Sequence, residues 1–443
     1  MVQTTEQLSH MVLPEEEQRR NVYDVLQERG FVAQVSDEAG LRAALERPVT
    51  LYCGYDPTAP SLHIGHQLTI MALAHFQRHG HRPVALLGGG TGMIGDPTDR
   101  LSQRPMMTVE QIDANVEALR PIFARYLDFG EGAAEQPAMM VDNAEWLRDL
   151  KYLEFLRDIG RHFTVNQLLS HSTYRERLDS EGQSLNFIEI NYVLLQAYDF
   201  LHQYRAFGCT LQIGGGDQWF NVLAGADLIR RVDGGRAFAM VVPLLTTPSG
   251  EKMGKTTSGG QTVWLDPNLT PPYDYYQYWV NVDESQVEQL LKLYTFLPLE
   301  EIATLAQLEG ADIRRAKEVL AFEATRLTHG EEAARKAQAG ARALFAGPGA
   351  ATEGDDAADA AVPTTTVPRA TFEAGMPLVD LLTTAGLAKS KSEARRLIAQ
   401  GGAYVDDEQV TDAERAITAA DLDGEGRLLL RAGKKRYHRI VAE

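Results

Sequence analysis

Four short apolar runs, "VTLYCG" (49–54), "PVALLGGG" (83–90), "TLQIGGG" (210–216) and "AMVVPLL" (239–245), are separated by stretches long enough for helical crossovers. Runs of this kind, apolar on both faces and spaced by helices, form a parallel, doubly wound sheet, so the first part of the chain is expected to be a Rossmann-like α/β domain. Three of the four end in glycines. Ligands of open α/β sheets bind outside the carboxyl ends of the strands, so the residues just after these runs are the first candidates for a site.

At 443 residues the chain exceeds what one hydrophobic core usually serves. The clearest boundary is 346–368, "AGPGAATEGDDAADAAVPTTTVP", where small residues, prolines and four acids replace the periodic apolar positions; it reads as a flexible linker. The expected division is a Rossmann-like domain over 1–265, an α-helical domain over 266–345, the linker, and a small α+β domain over 369–443. The helical assignment rests on runs such as "IRRAKEVLAFEATRLTHG" (313–330), whose apolar positions recur near a period of 3.6.

The formal net charge is −18, but residues 369–443 hold twelve basic and twelve acidic residues, so the tail is neutral and the excess acid lies before it. This charge argues against attraction of the whole molecule to nucleic acid or an anionic membrane; a polyanion must be held by local patches. No apolar run is long enough to span a bilayer, and "MVQTTEQLSHMVLPEEEQRR" (1–20) lacks the pattern of a secretory signal. The only cysteines, Cys53 and Cys209, make no disulfide framework. A cytoplasmic location without membrane partners is the expectation.

Several stretches carry chemistry. In "LYCGYDPTAPSLHIGH" (51–66), Pro57 and Pro60 fix a loop, Ser61 is positioned to cap a helix, and His63 and His66 then fall in its first turns. A helix N-terminus attracts anions, and imidazole donors beside it suit a polyphosphate. The further histidines at 75, 79 and 81 also permit a metal reading, but the carboxylate or cysteine spacing of a zinc site is missing, and no protein-bound metal is expected. "GTGMIG" (90–95) fits the dinucleotide fingerprint, yet Asp96 and Pro97 follow at once and oppose the helix that fingerprint requires; a loop bringing Thr91 and Asp96 over a small ligand fits better.

In "NFIEINYVLLQAYDFL" (186–201), Tyr192, Gln196 and Asp199 share one face of an apolar helix. A polar small ligand would satisfy them where burial alone would leave a carboxylate unpaired. "PSGEKMGKTTSGG" (248–260) places Lys252 and Lys255 among glycines, as in a mobile clamp on phosphates. In the tail, "KSKSEARRLIAQGGAYVDDEQV" (389–410) reads as a basic amphipathic helix ended by Gly401 and Gly402, then a strand and a turn; "GKKRYHRI" (433–440) adds a second basic cluster.

"HIGH" (63–66) and "KMGKT" (252–256), in this order on a doubly wound sheet, resemble the two signature motifs of class I aminoacyl-tRNA synthetases. With "YCGYDPTAPSLHIGH", "GGGTGMIGDPT", "NYVLLQAYDF" and "LQIGGGDQW", the chain is similar, motif by motif, to the bacterial tyrosyl-tRNA synthetases, and its tail resembles the S4 RNA-binding fold. Gly254 and Thr256 replace two serines usual in the lysine motif.

The resemblance implies a tyrosine–tRNA ligase: ATP and L-tyrosine give tyrosyl-adenylate and pyrophosphate, and the tyrosyl group passes to the terminal adenosine of tRNA(Tyr). The substrate carboxylate is the nucleophile, so catalysis needs positioning and charge stabilisation only. By the same resemblance Tyr52 and Asp199 would bind the tyrosine hydroxyl, with Asp96, Tyr192 and Gln196 on its ammonium group and Thr91 in the same pocket. Cys53 and Asp217 would meet the ATP ribose; Gly54, Asp56, Gly65, Gly215, Gln218 and Met253 would line the nucleotide site. Thr58, His63, His66, Lys252, Lys255 and Thr256 would stabilise the reacting phosphates, with Arg104 as a further candidate. Mg²⁺ would accompany ATP without a protein cage.

The resemblance also turns Lys389, Lys391, Arg395, Arg396, Lys434, Lys435, Arg436 and Arg439 from a solvated face into expected RNA contacts, and implies a homodimer. A tryptophanyl relative would share the fold and motifs, but Tyr52 and Asp199 suit a phenol. Rejection of phenylalanine by tyrosyl-tRNA synthetases is the standing example of a site whose polar groups would otherwise go unpaired. An RNA-binding relative without catalysis is opposed by the retained His63, His66, Lys252, Lys255, Asp199 and Asp217.

Overall fold

The four apolar runs form the strands β2 (Thr50–Tyr55), β3 (Arg82–Leu87), β5 (Cys209–Gly215) and β6 (Phe238–Val242). A computed structural model describes residues 9–98, 106–130, 134–170, 172–180, 185–248, 250, 252–254, 260–345, 363–406, 408–433 and 436–443. Two strands that carry no glycine punctuation complete the sheet: β1 (Gln34–Val35) and β4 (Met139–Asp142). The order is β1-β6-β5-β2-β3-β4, parallel throughout except for β1, which runs antiparallel to β6 at the edge.

From β2 the chain builds outward through β3 and β4, then returns to add β5 and β6 on the other side of β2. The order therefore reverses between β2 and β5, and a crevice opens at their carboxyl ends. In register, Tyr52 of β2 lies opposite Val84 of β3 and Gln212 of β5. Every residue of β6 and all but the first of β3 are buried, which is why these runs are continuously apolar.

Two compact units can be distinguished. The first takes in the described residues up to 254 together with 262–269 and 283–316; the second takes in 260–261, 270–282 and the described residues from 317 onward. In the first, the helix Ile64–Arg78 follows β2, and the helices Phe187–Phe207 and Trp219–Asp233 bracket β5. The last two approach closely at Gly225, where a Cβ would meet Phe200 at 2.9 Å. After β3, Gly92 N–H donates to Gly88 and a single 3₁₀ turn, Thr91–Met93, replaces the helix a dinucleotide fingerprint would start. Further on, the 3₁₀ turn Glu284–Gln286, capped by Asp283, leads into the helix Val287–Tyr294, followed by Leu299–Ala306.

In the second unit, the helix Pro272–Val280 packs against Glu331–Phe345, and Thr328 of the helix Ile313–His329 donates to the Tyr275 hydroxyl at 3.0 Å. The C-terminal part has its own core, which includes Phe372, Leu378, Leu382, Ile398, Val405, Leu430 and Ile440. Its five-stranded sheet has the order β10 (Glu408–Val410), β9 (Ala403–Val405), β12 (Arg427–Ala432), β13 (Arg436–Ala442), β7 (Thr364–Val367). The short strands β8 (Met376–Pro377) and β11 (Ala416–Ile417) pair separately.

The basic helix of the tail is Lys391–Ala399, capped by Ser390, with Ala394 and Ile398 turned into the core and Lys391, Arg395 and Arg396 exposed. Gly401, at φ +70°, ends it in the left-handed conformation that glycine adopts without strain.

Candidate active site

One cleft of about 680 Å³ opens at the reversal point between β2 and β5. All the candidate tyrosine, nucleotide and phosphate residues that fall among the described residues line it: Tyr52, Cys53, Gly54, Asp56, Thr58, His63, Gly65, His66, Thr91, Asp96, Tyr192, Gln196, Asp199, Gly215, Asp217, Gln218, Lys252 and Met253. Lys255, Thr256 and Arg104 lie outside the described residues.

At one end stands Asp199, 1% exposed on the helix Phe187–Phe207. Burial pushes its carboxyl up to about 8, opposed by two donors: Asn143 Nδ2–H to Oδ2 at 2.9 Å and Trp146 Nε1–H to Oδ1 at 2.7 Å. Those donors offset part of the desolvation cost that an unpaired carboxylate would carry. Tyr52 lies beside it on β2, fully buried, its ring edge-on to Phe200 at 5.3 Å. Its hydroxyl has no hydrogen-bond partner among the described residues, and burial followed by the Asp199 charge holds its pKa well above the usual phenol range. A buried donor left open beside a buried acceptor is a site for a hydroxyl-bearing ring.

Next along the cleft is a polar mesh. Asp56 accepts from Thr91 Oγ1 at 2.7 Å and from the Tyr192 hydroxyl at 2.9 Å; Asp96 accepts from Gln218 Nε2 at 2.6 Å, and Gln196 Nε2 donates to Gln218 Oε1 at 3.4 Å. Asp56, expected on the nucleotide, is thus tied to residues expected around the amino acid. The absence of a side chain at Gly88 makes room, since a Cβ there would collide with the Asp56 carboxylate. The Gln196 and Gln212 Oε1 atoms are buried without partners among the described residues.

At the other end lie the two histidines. Ser61 does not cap the helix; its hydroxyl donates to the Leu62 carbonyl and accepts from Asp266 N–H. His63 is itself the cap: its Nδ1 accepts from Gly65 N–H at 3.0 Å, and His66 Nδ1 accepts from His63 N–H at 3.3 Å. With both Nδ1 atoms accepting, each imidazole carries its proton on Nε2 and is a neutral donor. Burial pushes the His63 pKa down to about 4, which keeps that form at neutral pH. The rings lie 3.9 Å apart, and a Cβ at Gly65 would stand 2.9 Å from the His63 ring.

The lysine motif faces them across the cleft. Its base is a hairpin: Thr246 bridges Lys252, and Met253 N–H donates to Leu245 at 2.9 Å. The strip that follows ties it to the histidines, because Val263 N–H donates to Gly254, Ile64 N–H to Val263 and Leu265 N–H to Leu62.

His75 and His81 lie away from the cleft, packed in the core. His75 is buried edge-on to Phe31 and Phe296, and His81 Nδ1 accepts from Val49 N–H. Among the described residues there is no group of three or more His, Cys, Asp or Glu able to hold a metal ion.

In the tail, Lys389, Lys391, Arg395 and Arg396 are exposed, although Lys391 pairs with Asp380 at 2.8 Å. Arg436 and Arg439 are half-buried, and Arg436 donates to the Gly386 carbonyl; Lys434 and Lys435 lie outside the described residues. Asn143, Trp146 and Gln212 were not among the sequence candidates. The first two follow β4, so recognising "AMMVDN" as a strand end would have pointed to them.

Residues 44–346 match the family model "tRNA synthetases class I (W and Y)", and the fold is that of this class. Residues 357–440 match "Tyrosine--tRNA ligase SYY-like C-terminal domain". The tyrosine–tRNA ligase of Clostridium botulinum (strain 657 / Type Ba4) is 49% identical over 425 residues, covering 96% of this chain and 100% of that protein. That of Syntrophus aciditrophicus is 48% identical over 442 residues, covering 96% and 99%. A C-terminally truncated mitochondrial tyrosyl-tRNA synthetase from Aspergillus nidulans superposes with a TM-score of 0.67 at 30% identity, over 75% of this chain and 96% of that one. The chain belongs to the tyrosine–tRNA ligase family.

Proposed function

We propose that this cleft carries out both steps of tyrosine–tRNA ligation with the residues assigned as follows. The tyrosine carboxylate oxygen attacks the α-phosphorus of ATP; the α–β bridging P–O bond breaks and pyrophosphate leaves with the bonding pair. The terminal ribose hydroxyl of the tRNA then attacks the tyrosyl carbonyl, and AMP departs. Tyr52 and Asp199 hold the phenol, while Asp96, Tyr192 and Gln196, with Thr91 beside them, hold the ammonium group. Cys53, Asp217, Gln218 and the backbone at Gly54 and Gly215 take the nucleotide. Thr58, His63, His66 and Lys252, joined by Lys255 and Thr256, stabilise charge on the α-phosphate and the departing pyrophosphate.

The observation that carries this reading is the pairing of an open, buried Tyr52 hydroxyl with the Asp199 carboxylate at one end of a cleft whose other end presents two Nε2–H imidazoles. Mg²⁺ would enter with ATP on its phosphate oxygens and water, screening the leaving group. The helical region 266–345 would read the anticodon arm, and the tail from 369 would grip tRNA through Lys389, Lys391, Arg395, Arg396, Arg436 and Arg439. A homodimer is supported by Tyr152, Leu153, Val165, Leu178 and Phe187, large apolar side chains all exposed within one stretch. The protein would act in the cytoplasm. The test is charging of bulk bacterial tRNA with labelled tyrosine in the presence of ATP and Mg²⁺: acid-precipitable tyrosine, abolished when ATP is withheld, supports the reading, and its absence refutes it.

A further inference from the structure

The helix Val287–Tyr294 contacts both signature motifs, one at each end. At its start, Gln286 Nε2–H donates to the Thr246 carbonyl at 2.7 Å and lies 4.0 Å from the Met253 sulfur, so one amide touches both strands of the lysine hairpin. At its finish, the Tyr294 hydroxyl, on a side chain 1% exposed that lines the cleft, donates to the Ile64 carbonyl at 3.0 Å. Ile64 is the first residue after the His63 cap. Eight residues of helix separate the two ends by roughly 12 Å at about 1.5 Å per residue, a span that does not stretch.

We propose that Gln286 and Tyr294 are positioning residues which, through this helix, set the separation between the lysine hairpin and the two histidines and so the geometry in which pyrophosphate leaves. Neither touches the reacting atoms. The proposal rests on placing the phosphates between His63 and Lys252. Stabilisation of a transferring phosphoryl group depends on donors that stand at the right distance before reaction, and small misplacements are costly. The backbone strip at 262–265 joins the same two motifs through main-chain hydrogen bonds, and Gln286 adds a side-chain anchor on the far strand of the hairpin.

The test uses the full-length protein in tyrosine-dependent exchange of labelled pyrophosphate into ATP, with thermal midpoint and tyrosine dissociation constant measured alongside. Gln286→Met keeps the length and the contact with Met253 but removes the donor; Tyr294→Phe removes only the hydroxyl. Each is expected to lower the exchange kcat about tenfold, with tyrosine affinity unchanged within about twofold, since an ångström of misplacement can cost up to about a hundredfold. The double variant should lose less than the product of the single losses, because both act on one separation. Unchanged kcat in both single variants, or losses that follow the thermal midpoint and tyrosine affinity together, would overturn the proposal. Lys252→Ala serves as the reference: if it loses exchange while Gln286→Met and Tyr294→Phe retain it, the phosphate assignment stands and the brace falls.

Discussion

The Gly65 amide donates to His63 Nδ1 at 3.0 Å, so the helix N-terminus fixes the tautomer of the imidazole that caps it. A ring held this way offers Nε2–H to an anion without carrying a charge of its own. Its contribution should therefore grow as charge builds on the phosphates. His63→Ala is expected to lower the exchange kcat by about a hundredfold while tyrosine affinity moves less than about threefold, the scale of losing one oxyanion donor. Stopped-flow adenylate formation with a parallel binding titration measures the two; equal losses in both would contradict a role confined to the transition state.

At the amino-acid end, Trp146→Phe would leave Asp199 Oδ1 without its indole donor. The disturbed carboxyl should raise the tyrosine KM by about tenfold, as expected for a buried acceptor that loses one hydrogen bond. Tyr52→Phe should instead narrow the preference for tyrosine over phenylalanine, because the donor that distinguishes the two rings is gone. Steady-state exchange with each amino acid separates these effects, and unchanged selectivity in Tyr52→Phe would remove it from phenol recognition.

Acid should destabilise the protein before most carboxylates titrate. Burial pushes His79, His81 and His438 down to about 4, and His75 lower still. Between there and the ordinary histidine value near 6.5 the unfolded chain binds protons that the folded one refuses. Stability is therefore full above about pH 6.5 and falls as pH drops toward 4. Urea midpoints at intervals from pH 7.5 to 4.5 should decline across that window. His75→Phe, which removes two ring nitrogens that have no hydrogen-bond partner among the described residues, should lessen the decline. A flat midpoint from pH 7 to pH 5 would contradict the assignment.

On the tail, Arg395→Glu with Arg396→Glu reverses two exposed charges without touching the buried Ala394 and Ile398. The tRNA KM in charging should rise about tenfold and lose part of its salt dependence, while pyrophosphate exchange is unaffected. Unchanged charging would take this helix out of RNA binding.

Much of this was legible in the residues, and the exceptions have physical causes. The strands β2, β3, β5 and β6 are largely buried, and the apolar runs behind the first three close on glycines, so pattern and punctuation agree there. β1 has two residues and β4 lies half-buried at an edge, so neither shows a continuous apolar run, and the Asn143 and Trp146 that follow β4 stayed hidden with it. Tyr192, Gln196 and Asp199 were visible because helical spacing places them together. The capping role of His63 was not, because Ser61 is the residue type that usually caps and an imidazole acceptor is rarely weighed for that position. The brace through Gln286 and Tyr294 joins residues far apart in the chain, a relation that no local pattern encodes.

The central claim is that one cleft reads a phenol at Tyr52 and Asp199 and handles phosphates at His63, His66 and Lys252. Exchange of labelled pyrophosphate into ATP tests it most directly, with tyrosine, phenylalanine and tryptophan supplied in turn to the unmodified protein. Rapid exchange with tyrosine and orders of magnitude less with the other two is the predicted result. No exchange with tyrosine, or equal exchange with tryptophan, would contradict the account.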